Sequence, residues 1–262
     1  MRAPLEDEVM TAIAERYRRD GFAFPIPVVR AEVADEMART VDHLAAASRI
    51  QPVRLPFPHR YFRWAFELTA HPVLLDVVED IIGPDILVWG TLILSKPAGS
   101  RSIVSWHQDC AYARFVDGSP ALTAWIALTP ATSQSGCMRV IPGSGGERLP
   151  FQTDKAEDDM LIRGARVNTQ FDESSAVDLI LQPGEASLHE ISLIHGSNAN
   201  HSEQARTGFI VRYATPAIRE TGYPIYCVRG SPGDVRCATP PVASTDEGLR
   251  DYLEYLSEEG QE

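Results

Sequence analysis

Positive charge, long apolar runs and paired cysteines are all scarce in this chain, and each scarcity removes a class of protein. The 24 basic residues stand against 36 acidic ones, a formal net charge of −12. A protein that works on a phosphate backbone needs a basic footprint, so nucleic acid is not an expected partner and the acidic excess reads as a solvated surface. No apolar run approaches the roughly 18 residues of a membrane span. The opening stretch MRAPLEDEVMTAIAERYRRDGF lacks the apolar core of a secretory signal. Cys110, Cys137, Cys227 and Cys237 form neither a CxxC pair nor the dense pattern of a disulfide scaffold. The expectation is a cytoplasmic protein with no membrane partner. There is no internal repeat and no low-complexity tract.

What is present is an ordinary globular composition: 262 residues, 44% hydrophobic and 23% charged, enough apolar surface for a sizeable core. The length fits a single domain over 1–262. Its front part, 1–85, reads as mostly helical. Leu5, Val9, Ile13 and Tyr17 repeat at helical spacing, and Gly21 ends the segment before a short strand at Phe22. Ala31 to Ala47 carries Val33, Met37, Val41 and Leu44 on one face, and a third helix is expected from His71 to Ile82, closed by Gly83-Pro84. The proline-rich stretch Gln51 to His59 between them reads as a loop.

From residue 86 the period changes. Short strand-like runs begin at Ile86, Thr91, Ile103, Leu122, Cys137, Val177, Ala186 and Phe209, most of them separated by glycine or proline. Helices followed by at least seven short strands, without β-α-β alternation, indicate a mainly β protein with flanking helices. Its core over 86–216 would be an antiparallel barrel or jelly roll, with 217–262 as a C-terminal extension. The connection from Gly143 to about Ser175 is long and polar, a candidate functional loop.

The chemistry centres on Trp106-His107-Gln108-Asp109. Residues two apart on a strand share a face, so His107 and Asp109 can chelate one ion together. His195, closing the apolar run Ile191-Ser-Leu-Ile-His at a glycine, is the best candidate for a third ligand. Two histidines and a carboxylate on one face of a metal leave three positions open, the arrangement of non-haem iron(II) oxygenases. Arg206 follows eleven residues after His195. A hairpin through Gly196-Ser-Asn-Ala-Asn would return it along the neighbouring strand, where a buried guanidinium needs an anion.

The set WHQD, TAWIALTPATSQSGCMRVIPGS and SLHEISLIHGSNANHSEQARTGF resembles the phytanoyl-CoA dioxygenase family of iron(II)/2-oxoglutarate oxygenases, over roughly Gly21 to Pro216 and most clearly from Ser105 onward. The resemblance implies a double-stranded β-helix, a cupin-like jelly roll with N-terminal helices. It implies Fe(II) held by His107, Asp109 and His195, with 2-oxoglutarate and O2 as co-substrates. Arg206 would anchor the 2-oxoglutarate carboxylate, Ser197 would be its hydroxyl partner, and Trp125 would lie beside it. The polar residue that some relatives use on the strand before HxD is not evident in Thr91-Leu-Ile-Leu-Ser.

Halogenating relatives carry Ala or Gly at the carboxylate position, so the retained Asp109 points to hydroxylation. The expected partner is a small molecule, anionic or a natural-product intermediate. Arg54, His59, Arg60 and Arg63 near the proline-rich loop are candidates to bind its carboxylate or phosphate, and Tyr112 and Phe115 to line its pocket. His189 is expected to be structural or to stand behind the ligands, His201 to be exposed, and Cys110 to pack. A cupin-like metalloenzyme that does not use 2-oxoglutarate, and a catalytically silent binding relative, are the alternative readings.

Overall fold

In the computed structural model, residues 7–50, 53–112, 119–154, 157–161, 164–218 and 222–259 are described, without the side chains of Asp7, Tyr112 and Glu259. The chain opens with α1 (Asp7–Asp20), β1 (Phe22–Pro27), α2 (Ala31–Ser48), β2 (Val53–Pro56), α3 (Arg63–Thr69) and α4 (Pro72–Ile82). Strands then dominate: β3 (Ile86–Lys96), β4 (Val104–His107), β5 (Ala121–Ala127), β6 (Met138–Val140), β7 (Phe151–Gln152), β8 (Arg166–Val167), β9 (Val177–Leu179), β10 (Glu185–Glu190), β11 (His195–Ser197), β12 (Arg206–Ala214) and β13 (Tyr226–Arg229). Helix α5 (Thr245–Glu259) closes the described chain. Among the described residues no helix is long and apolar enough to cross a membrane.

A major antiparallel sheet runs β1-β10-β5-β12-β3-β13, with β2 also paired to β3, and it faces a minor sheet β4-β11-β6-β9. This is the double-stranded β-helix that the strand count and the resemblance led us to expect. The central strands are buried on both faces because each face has a different cover. Side chains alternate between them. Phe209, Val211 and Tyr213 of β12 join Leu122, Ala124 and Ile126 of β5 in a core completed by all five helices. Positions of the other parity, including Leu92, Leu94, Trp125 and Ile210, point into the barrel against the minor sheet. Gly21 shows how the layers are joined: at φ +82° it ends α1, and a Cβ there would come within 2.9 Å of the Leu193 side chain.

Several expectations are corrected. The proline-rich stretch is not all loop: Val53–Pro56 pairs along β3 as an edge strand, with Pro56 at its last residue, where the missing N–H costs least. Helix α3 and helix α5 went unforeseen, the first because seven residues carry too short a period and the second because its apolar positions are diluted by acidic residues. The segment from His195 to Arg206 is not a hairpin: β11 belongs to the minor sheet and β12 to the major one, so the chain crosses from one wall of the barrel to the other.

Candidate active site

Strand β4 ends at His107, and Asp109 opens the short 3₁₀ turn Asp109–Tyr112. The shared face of His107 and Asp109 therefore comes from a strand turning into a 3₁₀ coil rather than from strand alternation. Antiparallel pairing of β11 with β4 places His195 opposite His107. The two rings lie 4.0 Å apart by centroid, and one ligand atom each from His107, Asp109 and His195 falls within 4.8 Å of the others. All three residues are buried.

The donor set is prepared for a cation. His107 Nδ1 sits 2.9 Å from the Ser105 carbonyl and His195 Nδ1 3.0 Å from the Leu193 carbonyl, so both Nδ1 atoms carry the proton and both Nε2 lone pairs face inward. Burial, above all, keeps both imidazoles neutral by pulling their pKa values down. Burial alone would raise the Asp109 carboxyl, but Arg212 and the neighbouring His189 and His195 outweigh it and hold Asp109 well below the usual carboxylate range. Thr123 Oγ1 donates to Asp109 Oδ2 at 2.6 Å, which leaves Oδ1 toward the histidines. Three acceptors converging without a proton between them repel one another until a metal ion fills the gap; these residues fit an iron(II) ion.

About 6–7 Å further along β11, two residues at strand spacing, stands Ser197, and a second cluster forms around it. Arg206, 1% exposed, and Lys96, fully buried, are direct cross-strand partners on β12 and β3. Lys96 Nζ donates to Ser197 Oγ at 2.7 Å and to the Asn198 carbonyl. Arg206 Nη2 reaches the same Ser197 hydroxyl at 3.3 Å and the Gly136 carbonyl at 2.7 Å, while its Nε has no partner. Its guanidinium lies 5.2 Å from the Trp125 ring centroid. Gly208 is required here, because a Cβ at that position would overlap the Trp125 indole. Among the described residues neither cation has a carboxylate within salt-bridge distance. A buried guanidinium, a buried lysine and a hydroxyl with no carboxylate among the described residues form an anion hole, and the distal carboxylate of 2-oxoglutarate fits it.

Lys96, at the end of the strand before HxD, is a fully buried polar residue one position beyond Thr91-Leu-Ile-Leu-Ser. The signal available was one lysine closing the otherwise apolar run ILVWGTLIL. Its charge state yields a prediction. Burial first, and then the charge on Arg206, pull the Lys96 ammonium down to about 6. Above that pH the free protein holds a neutral amine, and a bound carboxylate favours the charged form, so binding takes up a proton. The affinity for 2-oxoglutarate should therefore fall as pH rises from 6.5 to 8.5, by up to about tenfold per unit. In Lys96→Met the affinity should be weaker and its pH slope absent, as measured by calorimetry.

Gln108, between the two ligands of the WHQD motif, is 3% exposed. Its Nε2 donates to the Glu147 carbonyl at 2.9 Å and to the Ser192 carbonyl, and its Oε1 accepts the Leu149 N–H at 2.8 Å. The long connection after β6 is thus tied directly to the turn that carries Asp109. His189 points into the barrel, its ring 4.4 Å from His195 and its Nε2 3.5 Å from Asp109 Oδ2, consistent with standing behind the ligands. His201 is exposed, and Cys110 packs with Trp89 and Ile191.

The arginines proposed for substrate lie on separate elements, Arg54 on β2, Arg60 in the 3₁₀ turn Pro58–Arg60 and Arg63 at the start of α3. Arg63 is exposed and pairs with Glu67 one turn along α3, so its expected substrate role is not supported by its position. Arg60 stacks among Phe57, Tyr61 and Tyr255. His59 is fully buried, with Nδ1 2.7 Å from Thr91 Oγ1 and its pKa driven down to about 3 by burial, which removes it as an anion binder. Arg54 lies at the barrel edge, donating to the Met160 carbonyl at 3.2 Å. Phe115 and the side chain of Tyr112 lie outside the described residues.

A facial two-histidine, one-carboxylate site beside a sealed anion hole, inside a double-stranded β-helix, defines the class of mononuclear non-haem iron oxygenases. The profile of the phytanoyl-CoA dioxygenase (PhyH) family matches residues 17–208, and the chain belongs to that family. A probable phytanoyl-CoA dioxygenase of Caenorhabditis elegans is 29% identical over 156 residues, covering 57% of this chain and 50% of the relative. The chain spans about half the length of the curated phytanoyl-CoA dioxygenases it matches. Among solved structures, the apo form of the non-heme monooxygenase ThoJ is 30% identical with a TM-score of 0.79, covering 95% of this chain and 96% of that one. EvdO2 from Micromonospora carbonacea var. aurantiaca, solved with 2-oxoglutarate, shares the fold at 21% identity and a TM-score of 0.65, over 82% and 93% of the two chains.

Proposed function

We propose that this protein is an iron(II)- and 2-oxoglutarate-dependent dioxygenase that hydroxylates an unactivated C–H bond of a small-molecule substrate. The observation that carries the reading is the pair of adjacent clusters on β11: the metal triad at His195 and the anion hole at Ser197. When bound, iron(II) and 2-oxoglutarate would supply the oxidant from O2, with release of succinate and CO2.

The chain's own contribution is geometry and shielding. His107, Asp109 and His195 would hold the metal. Thr123 fixes Asp109 through one oxygen, which leaves the other free to serve as the metal ligand. Arg206, Lys96 and Ser197 orient the co-substrate, and Trp125 walls its chamber. Burial of these groups excludes water from the reacting centre. With the carboxylate of Asp109 present, no ligand position is vacated for a halide, which favours hydroxylation over halogenation. The test is an aerobic assay with iron(II) and 2-oxoglutarate. Succinate should form, with slow turnover even before the organic substrate is known, and adding chloride should not change the outcome. No succinate from an iron-loaded, folded protein would sink the proposal.

A further inference from the structure

We propose that Arg212, stacked on Trp89 and partly open to solvent, anchors an anionic group of the organic substrate, a carboxylate or an anion of similar shape. The proposal deepens the oxygenase reading and rests on it. Arg206, Gly208, Ile210 and Arg212 share the inward face of β12, so the two arginines stand about 20 Å apart along the strand. Their surroundings differ. Arg206 is 1% exposed and closes the sealed end, with the anion hole around it. The Arg212 side chain keeps 18% of its surface in contact with solvent.

The guanidinium is held but not satisfied. Its plane is supported by Trp89, with Cζ 5.5 Å from the ring centroid. Nη2 lies 3.5 Å from Asp109 Oδ1, a long contact, and Nε is buried without a partner. Asp109 is its one carboxylate within salt-bridge distance among the described residues, and Oδ1 is the oxygen that faces the metal position. A metal ion there draws on the same negative charge, which leaves Arg212 short of an anion of its own.

A cluster of buried apolar side chains packs around Trp89: Leu87, Ala121, Ile191 and Ala214, with Ile218 and Ile225 from the segment after β12. A planar guanidinium with an unpartnered Nε beside apolar side chains suits a carboxylate attached to an apolar body. Arg212 thus takes the role first sought in the arginines of the proline-rich loop.

The test uses matched charged and neutral probes, benzoate against benzamide and phenylacetate against phenylacetamide. They are titrated by calorimetry into anaerobic protein loaded with iron(II) and saturated with 2-oxoglutarate, so that the sealed anion hole is filled. The wild type should bind each carboxylate about tenfold or more tighter than its amide. Arg212→Gln, read with iron(II) saturating, should reduce that ratio to within about twofold while leaving the 2-oxoglutarate affinity within about threefold of wild type. Arg212→Lys should keep an intermediate preference, and it serves as the test if the glutamine variant does not fold. Equal binding of acid and amide by the wild type, no binding of any probe, or an undiminished preference in Arg212→Gln would each overturn the proposal. Failure of the oxygenase reading would show earlier and separately, as protein that does not take up iron(II) and 2-oxoglutarate.

Discussion

Asp109→Ala should abolish 2-oxoglutarate turnover, by at least about a thousandfold, equivalent to about 4 kcal/mol in the barrier. It should also weaken iron(II) binding by at least about a hundredfold. Loss of a group behind the ligands commonly costs a metal site 10–100-fold, and Asp109 is the only anion in the triad. The two remaining imidazoles are neutral and cannot replace its charge. The fold should survive, because Asp109 contributes no hydrophobic contact and Arg212, left without its carboxylate, still reaches solvent. Competition with a chelator reads the iron affinity, succinate release reads turnover, and circular dichroism checks the fold. Unchanged 2-oxoglutarate consumption would remove Asp109 from the triad.

Arg206→Ala should separate the co-substrate from the metal. Truncating a buried charged partner typically costs 2–5 kcal/mol of binding, so the dissociation constant for 2-oxoglutarate should rise by about a hundredfold while iron(II) binding changes little. The free protein should lose little stability. The guanidinium is buried and unpaired, with its pKa pulled down to about 10 by burial, so its removal also relieves a desolvation cost. In the wild type, 2-oxoglutarate at a hundred times its dissociation constant stabilises the fold by about 2.7 kcal/mol, a rise of several degrees in Tm for a chain of this size. In the variant at the same concentration, about one dissociation constant, that stabilisation should fall to about 0.4 kcal/mol. An unchanged affinity would refute the anchor assignment.

These residues were legible in the sequence because they sit in short segments with fixed spacing. His107 and Asp109 are two apart, Ser197 is two after His195, and Arg206 is eleven after it, so a motif can carry all of them. The reasons inferred for the spacing were less accurate than the residues: Asp109 starts a turn, and Arg206 arrives on the opposite sheet. Lys96, Thr123, His189 and Arg212 matter through register, which no single segment encodes. Lys96 meets Arg206 only because β12 pairs with β3, and Thr123 meets Asp109 only because β5 crosses beneath the 3₁₀ turn. Parity along β12 does link Arg212 to the face of Arg206, a pattern visible in RTGFIVR once Arg206 is placed inside. The helical front part was readable from its apolar period, whereas the short α3 and the proline-bearing β2 are decided by tertiary pairing.

The most direct measurement is an anaerobic titration of the purified protein with iron(II) and 2-oxoglutarate, followed by visible absorption. Chelation of the metal by the keto acid should give a charge-transfer band that requires both components and is lost when His107 or His195 is replaced. Iron uptake without such a band would contradict the account, leaving the triad in place but favouring a cupin-like metalloenzyme that does not use 2-oxoglutarate.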